Sequence, residues 1–240
     1  MSTKKPRESG SKLLRSPGKA HPRASRTAPG TEEPPREAGE DSASPRVDHG
    51  GAKSHLGLVE MGRVGEFAVR VVAANIQAMM GIPVDILPPM EIPGEAFQHH
   101  RQQYDAGLVI KHLKESVSVE QNRILALVTA DLCNPILTYV YGEAEIGGSI
   151  AVVSTFRLSQ NEDGSPTTKE RYYERLAKVA LHEVAHTFLL YHCEDPRCLM
   201  RFSPKVSALD QIVLAFCDRC EFMLRENVLQ LYLRPPQPHP

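Results

Sequence analysis

Apolar residues are scarce over the first fifty positions and dense afterwards, and the change falls near His55. Residues 1–50 hold four strongly apolar side chains (Met1, Leu13, Leu14 and Val47), no aromatic residue and seven prolines. Such a stretch buries too little surface to offset the entropy of ordering, so residues 1–53 are expected to form a disordered N-terminal tail. From His55 the spacing becomes regular. His55–Met61 reads as a strand, and Gly65–Met80 carries apolar residues at helical spacing and stops at Gly81, a good C-terminal cap. The β-branched run Ile82–Leu87 reads as a second strand closed by Pro88 and Pro89, and a helix is expected around Gln103–Glu115.

Arg123–Thr129 has the continuous apolar character of a buried strand. Ile136–Glu143 and Ser149–Phe156 are expected to pair as a hairpin turning near Gly147 and Gly148, where positive φ is tolerated. After the polar loop Asn161–Pro166, a long helix is expected over Thr168–Leu190 and a last one over Ser207–Tyr232, before a Pro-rich end at 234–240. Alternating strands and helices followed by a hairpin predict an α+β domain, a mixed twisted sheet with helices packed on it, over residues 54–233.

Composition narrows the function. The chain of 240 residues carries 28 Lys and Arg against 29 Asp and Glu, net −1, so no long-range field favours nucleic acid or anionic lipid. No apolar run follows the basic N-terminus and none reaches the length of a membrane span, which leads us to expect a protein without nucleic-acid or membrane partners, working in the cytoplasm. Five cysteines, four of them between positions 193 and 220, then suggest a metal framework, with short-range disulfides or unpaired thiols as the alternatives.

The chemistry concentrates in His182-Glu183-Val184-Ala185-His186. Two imidazoles four residues apart lie about 40° apart around a helix and can share one zinc. Glu183, about 100° from His182, is near enough to handle protons beside that zinc without being a ligand. His192 follows, then Cys193, Cys198, Met200, Cys217 and Cys220.

HExxH with a third histidine six residues on, then H-C-x4-C-x-M and a later C-x2-C, resembles the archaemetzincin family of zinc metalloproteases in the metzincin clan. Arg101–Tyr104, and the stretch from Val140 to Leu158, are similar to the same family's region before the active-site helix. The resemblance implies a metzincin-like zincin fold whose hairpin supplies an edge strand beside the cleft, with a C-terminal helical segment stapled by zinc. It implies two zinc ions, a catalytic one on His182, His186 and His192, with Glu183 as general base and acid, and a structural one on Cys193, Cys198, Cys217 and Cys220. Met200 would be the Met-turn residue. The expected activity is hydrolysis of peptide or protein substrates; the alternative is a zinc-organised peptide-binding or scaffold module with little turnover. Leu189 stands where the family motif has glycine, so the chain is expected to turn sharply there with backbone strain of about 1–2 kcal/mol. Nothing in the residues predicts the oligomeric state.

Overall fold

A computed structural model describes residues 55–117 and 123–233; the expected tails at 1–53 and 234–240 lie outside them. The chain runs β1 (Leu56–Met61), α1 (Glu66–Met80), β2 (Val84–Ile86), β3 (Phe97–Gln98), β4 (Gln103–Asp105), α2 (Ala106–Ser116), β5 (Arg123–Val128), β6 (Leu132–Cys133), β7 (Gly142–Ala144), β8 (Ile150–Ser154), α3 (Lys169–Thr187), α4 (Val206–Gln211) and α5 (Asp218–Leu233). Five strands form the main sheet in the order β2-β1-β5-β8-β7, all parallel except β7, which pairs antiparallel with β8 at the edge.

The period of two in the central strands divides their side chains between two cores. Leu56, Leu58, Leu125, Leu127, Ala151 and Val153 face α1, α3 and α5, while Val59, Met61, Ile124, Ala126, Val128, Ile150 and Val152 face α2. Because both faces are covered, these strands are apolar without alternation, as parallel strands usually are. Each fully buried Leu or Val contributes about 1.5–3 kcal/mol, which anchors the sheet on which α3 rests. α1 ends as expected, with Gly81 left-handed at φ 67° and its N–H donating to Gln77 O at 3.1 Å. Among the described residues no helix is long and apolar enough to cross a membrane.

Four expected elements differ. Gln103–Asp105 is a strand, and α2 begins only at Ala106, because the Asp105 side chain caps it by accepting from Leu108 N at 3.0 Å. Gln103–Asp105 belongs to a small second sheet, β3-β4-β6, whose strands are too short to leave a periodic signal. Of the expected Ile136–Glu143 strand only Gly142 and Glu143 pair regularly, in a strand that runs on to Ala144, since the Asn134 side chain accepts from Ile136 N and Leu137 N and turns the chain away from extended pairing. The long helix stops at Thr187, three residues early, and the expected Ser207–Tyr232 helix divides into α4 and α5 around residues 212–217.

Candidate metal centre and cleft

α3 is capped by Thr168, whose side chain accepts from Arg171 N, and lies almost wholly buried from Arg175 onward. It ends in a complete Schellman motif. Leu189 N donates to His186 O at 3.0 Å and Leu190 N to Ala185 O at 3.2 Å, and Leu189 itself is left-handed at φ 65°. Leucine adopts that conformation at a cost, and its side chain packs over Gly147: a Cβ added there would stand 2.5 Å from Leu189 Cδ2. The hairpin closes the same turn from the other side, because Gly147 N donates to His186 O at 2.9 Å. Arg123 reaches under the helix end, donating to Thr187 Oγ1 and Thr187 O at 3.0 Å each, with its guanidinium 4.0 Å over the Phe188 ring. A cation at this end of a helix meets otherwise unpaired carbonyls.

The turn at Leu189 brings His192 back to the helix. One ring nitrogen each of His182, His186 and His192 lies within 4.8 Å of the others. His182 Nδ1 donates to Leu199 O at 2.8 Å and His186 Nδ1 to Leu190 O at 2.6 Å, so the neutral rings turn lone pairs on Nε2 toward the centre. Burial holds these rings neutral: it lowers His182 to about 3, helped by His186, and lowers His186 and His192 as well. The two Nε2 atoms then face one another at 3.1 Å with no proton between them, an arrangement that a cation relieves. Nitrogens bound to tetrahedral zinc stand about 3.3 Å apart, so the donor set fits that ion.

Glu183 is buried between the helix and the edge strand. A Cβ on Gly142 of β7 would come 2.5 Å from Glu183 Cγ, so glycine is what lets strand and carboxylate approach. Burial, and secondarily Glu143, push Glu183 up to about 8; a divalent cation beside it favours the ionised form. Glu143 also faces the cleft, accepting from Asn134 Nδ2 at 3.1 Å, with its own carboxyl raised by burial. The cleft itself has a volume of about 610 Å³ and is lined by Leu137, Tyr139, Tyr141 and Ile146 from the region of β7 and by Tyr191, Phe202 and Pro204 from the segment after α3.

Cys193, Cys198, Cys217 and Cys220 converge in the same way, their Sγ atoms within 4.8 Å of one another and all four thiols free. Cys193 Sγ lies 3.8 Å from Cys217 Sγ, far beyond a disulfide and matching the spacing of two thiolates at about 2.3 Å from a tetrahedral zinc. Cys198 Sγ accepts from Met200 N and Cys217 N at 3.4 Å, the secondary contacts that thiolate ligands typically receive. Met200 is fully buried in this loop, and its carbonyl accepts from Cys193 N at 2.8 Å. Cys133 is a buried residue of β6.

Sequence reasoning assigned no role to Gly142, Glu143 or the bordering tyrosines, although the resemblance had marked the stretch from Val140 to Leu158 as similar to the family's region before the active-site helix. It also missed the pair of the buried Arg175 with the partly buried Asp210, joined by two contacts of 2.7 Å between α3 and α4.

Histidines and a carboxylate gathered at the end of one helix define a class, the zinc metallopeptidases, and comparison with known proteins gives the branch. The sequence model of Peptidase family M54 matches residues 62–226, so the chain belongs to that family and is a zinc metallopeptidase, a hydrolase acting on peptide or protein substrates. It is 32% identical over 170 residues to the archaemetzincin of Haloarcula marismortui, 70% of this chain and 97% of that one. The crystal structure of archaemetzincin from Methanopyrus kandleri superposes with a TM-score of 0.67 at 32% identity, over 76% of this chain and 99% of that chain. A zinc-dependent peptidase from Methanocorpusculum labreanum gives 0.64 at 28% identity, over 70% and 99%. The α+β metzincin-like fold expected from the sequence is therefore the one observed.

Proposed function

We propose that residues 54–233 form a peptidase domain that holds two zinc ions and cleaves peptide bonds with Glu183 as the proton-transferring group. The observation that carries this reading is the convergence of one ring nitrogen each of His182, His186 and His192 within 4.8 Å of one another, next to the buried side chain of Glu183. His182, His186 and His192 hold the catalytic ion, and Cys193, Cys198, Cys217 and Cys220 the structural one. A zinc in the histidine site supplies Lewis acidity toward the scissile carbonyl and the attacking water. Glu183 takes the proton of that water and passes it to the leaving amine. Substrate backbone adds to β7, the edge strand, which places the scissile bond in front of Glu183 because Gly142 presents no side chain there.

Glu183→Ala tests the assignment. Activity against a peptide library is expected to fall about 10²- to 10⁴-fold with zinc content unchanged at two per chain. Zinc loss on this substitution contradicts the role, since a proton carrier is not a ligand.

A further inference from the structure

We infer that the α3–α4 end of the cleft is a specificity pocket for a substrate side chain ending in a carboxylate, received by the ammonium of Lys178. The inference rests on the peptidase reading above and names the substrate class of that same site. Lys178 lies one helical turn before His182 on the same face of α3 and lines the cleft with Val179, Leu199 and Leu209. It is 1% exposed. Its Nζ donates to Leu209 O at 3.1 Å and pairs with Glu174 Oε1 at 2.7 Å, two acceptors for three N–H groups.

A buried lysine can serve only to tie two elements together, but here the tie exists without it. Arg175, the residue that joins α3 to Asp210 of α4, also donates to Leu158 O and Gln160 O, and it does not line the cleft. Lys178 does. Glu174 is half-exposed, so solvent weakens its hold on the ammonium and leaves charge for a ligand. The walls of the recess are apolar, which suits a side chain with methylenes before its acceptor, glutamate over aspartate. The carboxylates of the cleft are Glu143 on β7 and Glu183, more than one turn farther along α3, and its second cation is Arg201 of the segment after α3, so within the recess Lys178 supplies the charge that an acidic side chain would meet.

The test uses the full, zinc-loaded protein and a peptide library varied at the two residues flanking the cleaved bond. Wild type is expected to prefer glutamate over methionine at one of them by about 10- to 100-fold in kcat/KM, the range for a charge-assisted hydrogen bond in a desolvated site. Lys178→Met should abolish that ratio while cleavage of the methionine peptides continues, and Glu174→Gln should raise it several-fold by freeing the ammonium. An unchanged ratio in Lys178→Met overturns the inference. If that variant does not fold, Glu174→Gln decides at a half-exposed position: no change there overturns it equally. Equilibrium binding of the same peptides separates the two readings. A glutamate preference in affinity, lost in Lys178→Met, in a protein that cleaves nothing sustains the pocket and removes the hydrolytic reading; no preference in either measurement removes the pocket alone.

Discussion

The central sheet and the strap that follows α3 are both buried, by different physics. β5 is buried at all six positions, and apart from Arg123 it reaches that state with aliphatic side chains alone. The strap from Leu190 to Cys217 contains one six-residue helix, yet Cys198, Leu199 and Met200 are as inaccessible as any strand residue. Its order comes from convergent sulfur atoms, from the ion pair of Asp210 with the buried Arg175 and from the left-handed turn at Leu189 that leads into it. A region held by area loses stability in proportion to what is removed, whereas one held by a few directional contacts loses it at once, and with it the third histidine. His192 and Cys193 are adjacent, so the strap sets both the stability of the C-terminal third and the geometry at the catalytic face.

Breaking the comparison most severely requires removing a sulfur. Cys198→Ser is expected to release one zinc per chain and cost at least about 5 kcal/mol out of the ~10–16 kcal/mol such a site supplies. That should lower Tm by more than about 10 °C, read by a thermal melt alongside metal analysis; an unchanged melt with zinc retained would show that the cysteines do not organise the strap. Leu125→Ala, in the sheet, should cost about 2–5 kcal/mol with both zinc equivalents kept, because a cavity in the sheet does not touch the ligands. If zinc leaves as well, sheet and strap are not separable.

The pair of Arg175 and Asp210 sharpens the contrast through pH. Hydrogen bonds from Arg175 hold the Asp210 carboxyl below its ordinary 3.8. A depressed carboxyl contributes stability that is fully present above the unfolded value and is lost as pH falls through the lower folded value. Asp210→Asn should therefore cost about 1–2 kcal/mol between pH 5 and 8, and the difference from wild type should close below about pH 3.8 in acid titrations of stability. A gap independent of pH would place the effect in packing.

The smallest effect is expected at Leu189. Glycine relieves the left-handed leucine but gains entropy in the unfolded chain and gives up the packing on Gly147, so Leu189→Gly should change stability by less than about 1 kcal/mol. The interaction is clearer in a double-mutant cycle: Gly147→Ala should be costlier in wild type than in Leu189→Gly, where the obstructing side chain is gone. Additive costs would mean that Leu189 and Gly147 do not support one another.

The sequence by itself determined the parts whose information is local. Periodicity located β1, α1, β5 and α3, and a spacing of four on a helix put His182 and His186 on one face, because helical geometry leaves no other choice. The run of His192 and four cysteines pointed to a family and a chemistry. Tertiary structure decided the rest. That Leu189 turns and does not continue the helix depends on Arg123, from a strand 66 positions earlier, and on the hairpin amide of Gly147, neither visible in the window around the turn. The breadth of the expected hairpin strand was wrong because one asparagine side chain outbids the extended backbone locally. Gly142 and Lys178 acquired meaning only when folding laid one against Glu183 and the other along the cleft, since proximity between distant residues is set by packing and not by the order of the chain.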